Sequence, residues 1–535
     1  MNAIIAAPQP EAAEAGADVL AAGGNAVDAA VACALVQTVV DPLMCGLAGF
    51  GSMHLYMPDR GTHVCIDFHG RAPKAARADM WEDLVIGQAE DGFGFQLEGR
   101  VNEVGYQSIM TPLTLKALDH ALTTYGTRPL NELLAPAIAY AEEGFLLRPH
   151  VVEFMREAPS NGRIDHREYV TRYPGTRAVY CPDGELPEVG DTLVNADMAR
   201  TLRRIAEDGA STVYTGAVAD EIVADMAANG GLLAADDLAE AEALENAPLW
   251  GTYRGHPIAT NPPPGGGIML LMMLNILEEF DLAAMGHATA AYIATVSEAM
   301  KIATIAKDAQ VGDPRFVNVP VDELTSKSWA AEHAARIRAG EKAHVERLAT
   351  GQPESRDTTQ VTVVDRAGNV VSMTHSIGMP SGVVTPGLGF MYNGCMGVFD
   401  PRPGRAGSLA PGKSRFTAMC PTIVFDGEEP MFVVGAPGGT FITMGVLQAI
   451  LNAVDFGMSA QEAVGAPRFC TTSDTIDLTN RILRRTEAEL RAMGYPTRRS
   501  PLSHGFSAVH AARRTASGWE GGADPGRDGM AIRVP

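Results

Sequence analysis

The hydrophobic rhythm of the chain changes part-way along. Up to about residue 340, apolar residues recur mostly at three- and four-residue spacing, the period of a helix with one buried face. That spacing predicts helices over 12–22, 26–39, 112–125, 130–143, 196–207, 217–228 and 288–307, the first two parted by the turn Gly23-Gly24-Asn25. The apolar stretch 268–277 ends at Glu278-Glu279 and predicts a buried helix, well short of the roughly 18 residues a membrane span needs. Residues 52–57 and 62–68 alternate like paired strands. Before the buried helix, Asn261-Pro262-Pro263-Pro264-Gly265-Gly266-Gly267 predicts a loop whose prolines preset an extended chain and whose glycines admit close backbone approach.

Residues 341–356 are polar, with Gly351 and Pro353, and read as a linker. Period-two segments follow at 359–364, 370–376, 422–425 and 431–434, with further strands near Ala508 and Met530 and a helix over 441–453 between them. A mostly helical first part and a strand-rich second part can share one layered core.

Composition narrows the function classes. The 535 residues are 46% hydrophobic, and 42 Lys and Arg against 64 Asp and Glu leave a net charge of −22. That balance argues against nucleic-acid and anionic-membrane partners, whose affinity comes from basic side chains. The first residues show no basic region followed by a long apolar core, so no secretory leader is expected there. Seven scattered cysteines without a CxxC spacing fit a reduced, cytoplasmic chain with no metal site; no cofactor is expected either.

The chemistry concentrates after the linker. Asp365 to Asn369 predicts a hairpin turn in which Gly368 and Asn369 supply positive φ. Centred on Ala367, that turn pairs Thr358 with Ser376; slipped by one residue, it pairs Thr358 with Thr374. A threonine is a poor nucleophile unless a base activates it, and an N-terminal threonine carries its own base, the α-amine. A strand that opens at Thr358 behind a severable linker meets that need. Farther on, Gly435-Ala436-Pro437-Gly438-Gly439-Thr440 joins a strand to a helix; glycines there leave backbone N–H groups unshielded at a helix N-terminus, as an oxyanion site requires.

Together these segments resemble the γ-glutamyltransferase family. Thr358-Thr359, Val363-Val364-Asp365 and Gly368-Asn369 are similar to that family's nucleophile strand, and Gly23-Gly24-Asn25-Ala26-Val27-Asp28-Ala29-Ala30 to its N-terminal helix pair. Pro262-Pro263-Pro264, Leu274-Asn275-Ile276-Leu277, Gly312-Asp313-Pro314, Pro421-Thr422-Ile423-Val424, Pro437-Gly438-Gly439, Asp455-Phe456-Gly457-Met458 and Ala466-Pro467-Arg468-Phe469 match in the same order. The resemblance implies an α+β fold, the four-layer αββα sandwich of N-terminal-nucleophile hydrolases. It implies one precursor cut between Asp357 and Thr358 into a large subunit (1–357) and a small subunit (358–535), forming a heterodimer or a dimer of such heterodimers. Thr358 is then the nucleophile, Thr374 and Ser376 hydrogen-bond or orient it, and Gly438 and Gly439 hold the oxyanion.

Departures from the family pattern fall on the glutamate clamp. The family's arginine after Asp67-Phe68 is His69 here, with an arginine displaced to Arg71. Its hairpin asparagine is matched by Gly378, the glutamine and aspartate that take the α-amino group by Cys395 and Val398, and its paired serines by Thr417 and Ala418. His69 and Arg71 are expected to share one face of a strand and look into the cleft. The resemblance therefore implies a small-molecule amide substrate with an anionic or strongly polar acyl part and no obligatory α-amino group, as in the divergent oxamate amidohydrolases and cephalosporin-type acylases. The stretch 399–417, shorter than a long lid, implies a more open cleft. One alternative is a glutathione hydrolase or transpeptidase with Arg71 in a rearranged clamp. Another is an inactive binding protein on the same scaffold, against which Thr358, Ser376 and Gly438-Gly439 argue.

Overall fold

The computed structural model describes residues 2–88, 94–158, 163–346, 358–502 and 505–535. Most of the linker and Asp357 lie outside the described residues. The period-two segments build two large antiparallel sheets. In chain order their strands are β1 (Ala3–Ala7), β2 (Phe50–Met57), β3 (Thr62–Phe68), β4 (Leu244–Asn246), β5 (Leu249–Tyr253), β6 (His256–Thr260), β7 (Thr359–Val364), β8 (Val370–Ser376), β9 (Thr422–Asp426), β10 (Glu429–Gly435), β11 (His510–Thr515), β12 (Gly518–Ala523) and β13 (Met530–Val534). The seven-stranded sheet runs β13-β1-β7-β8-β2-β3-β4 and the six-stranded sheet β12-β11-β10-β9-β6-β5. Both sheets mix strands from before and after residue 358, so the two parts of the chain are one folding unit.

Helices cover the outer faces. On the seven-stranded sheet lie α1 (Pro10–Ala21) and α2 (Ala26–Val40); on the six-stranded sheet lie α3 (Gly267–Glu278) and α5 (Ile442–Val454), with α4 (Ala290–Gln310) packed on α3. Every residue of α2 is buried, because the helix Leu130–Glu143 packs over its far side. Its start is set by a capping box: Asn25 accepts from the Val27 and Asp28 N–H groups, and Asp28 accepts the Asn25 N–H at 2.8 Å. Apolar cores fill both helix–sheet interfaces. Between the sheets a smaller apolar cluster around Ile4, Val364, Phe425, Val433 and Trp519 gives way to hydroxyls and amides near the hairpin. The result is four layers, αββα. The helix-dominated reading of the first part missed β1, β4 and the β5–β6 hairpin.

Beside the inter-sheet cluster, His54 and His63 stack with their Nε2 atoms 2.8 Å apart. The His54 Nδ1–H donates to the Pro421 carbonyl at 3.1 Å, so its Nε2 accepts from His63. Burial pushes His54 down to about 3 and His63 down to about 4. Both rings are therefore neutral when folded, whereas an unfolded histidine takes a proton near pH 6.5. The unfolded chain then binds more protons below that pH, and stability falls as pH drops from 6.5 toward 4. His63→Gln keeps a donor for His54 without a titrating ring; its Tm is expected to fall less steeply over that interval than that of the wild type, as read by scanning calorimetry. Equal slopes would show that His63 contributes nothing to acid sensitivity.

Candidate active site

The β7–β8 ladder pairs Thr359 with His375 and Gln360 with Thr374, which centres the turn on Ala367 and carries the next row to Thr358 and Ser376. Gly368 alone of the two expected turn residues has positive φ, +84°. The work assigned to Asn369 falls to Asp365, whose Oδ1 accepts the Ala367 and Asn369 N–H groups at 2.9 and 3.0 Å. Asp365 Oδ2 accepts the Ala26 N–H at 2.9 Å, tying the turn to the start of α2.

Thr358 is buried, and its Oγ1 donates to Ser376 Oγ at 3.0 Å. The Gly378 N–H donates to that same Ser376 oxygen at 2.7 Å. One carbonyl, that of Met44, gathers the Thr358 N–H at 3.1 Å, the Ile377 N–H at 3.3 Å and the Ser376 hydroxyl at 3.3 Å. The buried Arg527 donates to the Thr358 carbonyl at 3.2 Å. Thr358 is thereby held at φ +84°, a region hostile to a β-branched residue.

Pleating sorts the neighbours. Thr362 and Ser372, on the face that Thr358 shares, donate to the His510 and Val434 carbonyls of the second sheet, both at 3.2 Å. On the opposite face Thr359 and His375 meet Gln37 of α2, at 2.9 and 2.8 Å. His375, pushed down to about 3 by burial, is thus turned away from the threonine hydroxyl. Thr374, expected beside the nucleophile, spends its hydroxyl on Gln360 Oε1 at 2.6 Å, because Gln360 is its ladder partner.

The second sheet brings the glycine loop to the same end. A Cβ on Gly435 would lie 2.3 Å from Gln360 Nε2, so β10 ends directly across from the start of β7. Gly438 and Gly439 follow at φ +134° and +47° and open the turn into α5. A cavity of about 810 Å³ begins at the next residue, Thr440, and is lined also by Val398, Asp400, Arg415, Ala418 and Met444. The 261–267 loop seats its wall: Thr417 N–H donates to the Pro264 carbonyl at 2.9 Å, and Gly266 N–H to that of Met419 at 2.8 Å.

The clamp positions are rebuilt. Gly378 sits at φ +59°, and a Cβ there would meet Cys395 Sγ at 2.3 Å, so the thiol fills the space of the missing side chain. Cys395 is buried, as are all seven cysteines. The shared-face expectation for His69 and Arg71 fails, since β3 ends at Phe68. His69 turns back, its Nδ1 2.6 Å from Asp67 Oδ1. Burial would raise the Asp67 carboxyl, yet His69 contacts and the field of Arg315 hold it below the usual carboxylate range. The Arg71 backbone bridges Thr111 and Ser414, and its guanidinium donates to the Glu242 carbonyl at 3.1 Å. Neither residue lines the cavity. Arg415, Arg527 and the Met44 carbonyl escaped sequence reasoning. Arg415 lies two residues before Thr417 and could have been noticed there; a backbone carbonyl leaves no side-chain signal.

The geometry has counterparts among known proteins. The family model described as gamma-glutamyltranspeptidase matches residues 12–534. The chain is 40% identical to the acylase ACY 1 proenzyme of Pseudomonas sp. (strain V22) over 506 residues, covering 94% of this chain and 88% of that one. It is 34% identical to the glutathione hydrolase proenzyme of Escherichia coli (strain K12), covering 87% and 80%. Its fold superposes on a cephalosporin acylase from Bacillus halodurans with a TM-score of 0.87 and 28% identity, over 99% of this chain and 95% of that one. An αββα fold that brings a strand-opening threonine and a glycine loop to the same end of the two sheets, and matches this family over residues 12–534, makes the chain an amide-hydrolysing enzyme of the gamma-glutamyltranspeptidase family.

Proposed function

We propose that this protein is a self-processing threonine amidohydrolase that acylates Thr358 and acts on amides whose acyl part carries an anionic group but needs no α-amino group. The observation that carries the reading is the Thr358 Oγ1–Ser376 Oγ contact of 3.0 Å at the start of β7. Once the chain is cut before Thr358, its amine stays on the Met44 carbonyl, within reach of its own hydroxyl. The amine takes the hydroxyl proton as Oγ1 attacks the substrate carbonyl, the Gly438-Gly439 loop receives the negative charge, and the proton passes to the leaving amine. Water then releases the acid.

The acyl preference rests on the clamp. Gly378, Cys395 and Val398 offer an α-ammonium no carboxylate or amide oxygen from their side chains. The carboxylate of Asp400, in the same cavity, is already gripped through both oxygens by Arg402 at 2.8 Å. An α-ammonium desolvated there would lose a charge-assisted bond of about 1.5–3 kcal/mol. Glutaryl p-nitroanilide is γ-glutamyl p-nitroanilide without the α-amine, and the pair isolates this term. Steady-state kinetics are expected to give the glutaryl compound at least about a tenfold higher kcat/KM. Preference for the γ-glutamyl compound would instead favour a glutathione hydrolase with a rearranged clamp, in keeping with the Escherichia coli relative's name.

A further inference from the structure

Arg415 enters the site from a segment that the sequence motifs leave outside the clamp. Ser414 bridges the backbone of Arg71, and the next residue emerges toward the cavity, which it lines while remaining only 6% exposed. Its guanidinium lies 4.9 Å from the centroid of the Phe50 ring. Nη1 donates to the Phe416 carbonyl at 2.8 Å, and Nη2 to Cys395 Sγ at 3.6 Å. That thiol is the one that fills the space beside Gly378.

The ladder gives this placement its meaning. Phe50 lies opposite Ser376 on β8, and Thr358 lies on the other side of Ser376. Thr358, Ser376 and Phe50 thus form one row across three strands, spanning about 10 Å at ordinary strand spacing. A group bonded to Thr358 and laid along that row would run toward Phe50, whose ring carries the guanidinium. Val398 and Met444 supply apolar wall for methylenes in the same cavity. A planar guanidinium matches a carboxylate with two parallel hydrogen bonds.

We propose that Arg415 is a specificity-determining residue that receives a carboxylate at the far end of the acyl group, the role expected of Arg71 and unfilled by it. The proposal rests on the reading that Thr358 is acylated by an amide with an anionic acyl part. Processed wild type, Arg415→Gln and Arg415→Lys are compared on glutaryl and pentanoyl p-nitroanilide, which share a chain length and differ in the terminal carboxylate. The ratio of kcat/KM, glutaryl over pentanoyl, is expected to fall about 10- to 100-fold in Arg415→Gln, chiefly through KM, and to recover in part in Arg415→Lys. An unchanged ratio, or an equal fall on both anilides, overturns the proposal and leaves Arg415 as packing for Phe50.

Free glutarate gives a readout that needs no turnover. It is expected to raise the Tm of the wild type and to raise that of Arg415→Gln much less; equal shifts, or none in the wild type, also overturn the proposal. Wild type that binds glutarate in an Arg415-dependent way but is never cut and hydrolyses neither anilide would sink the Thr358 reading alone.

Discussion

Thr358→Ala is expected to remain a single chain of 56.5 kDa with no measurable amidase activity, while the wild type separates on a denaturing gel into residues 1–357 and 358–535. The expectation follows from what the hydroxyl does. Oγ1 adds to the carbonyl carbon of Asp357, the peptide C–N bond breaks in favour of an ester, and the nitrogen stays on Thr358 as an amine. Water then splits the ester, freeing the Asp357 carboxyl and restoring the hydroxyl. Ser376 accepts the hydrogen bond of the attacking group, and Arg527 and Met44 hold the flanking backbone. A β-branched residue at φ +84° costs on the order of 1–3 kcal/mol, and cutting the bond that defines this angle relieves it. Alanine keeps the backbone grip but has no oxygen to attack with. The fragments should comigrate in native gel filtration, because both sheets interleave strands from each. Intact-mass spectrometry decides: wild type that is active while whole, or cut at another bond, would end the Thr358 reading.

Replacing Gly438 by valine is expected to lower turnover by about 100- to 1000-fold while the fold survives, the loss typical of one misplaced oxyanion donor. The backbone there has φ +134°, which side chains rarely adopt, and a Cβ would stand 2.5 Å from the Cα of Ser507. Backbone cannot swing aside as a flexible side-chain tip would, so the loop must move and carry its N–H groups with it. Gly439, at φ +47° in the first turn before α5, should respond in the same direction. The purified processed variants need a thermal melt alongside the rates, to separate a lost donor from a lost fold. Near-normal kcat in both would place the oxyanion site elsewhere.

Much of this site is legible in the sequence alone. The strands on either side of Asp365–Asn369 begin and end where alternation puts them, and the row joining Thr358 to Ser376 is one of the two that the turn allowed. Chain-local rules carry that far because strand period, turn length and helix capping depend on residues only a few positions apart. Asp365 was visible as a turn residue, although its bond to Ala26 joins places 339 residues apart.

The clamp lay beyond such rules. Whether His69 and Arg71 share a face depends on how far β3 extends, and β3 stops at Phe68, after which Arg71 pairs with Thr111 and Ser414 instead. Which hydroxyl lies beside Thr358 was settled by register, which put Ser376 there and left Thr374 on Gln360. Arg415 meets Phe50 across most of the chain's length, and the Met44 carbonyl acts through no side chain at all. Local sequence settles the hairpin and caps because their partners are neighbours in the chain; the cavity beside Thr440 is decided by packing, where sheets meet and distant segments compete for the same space.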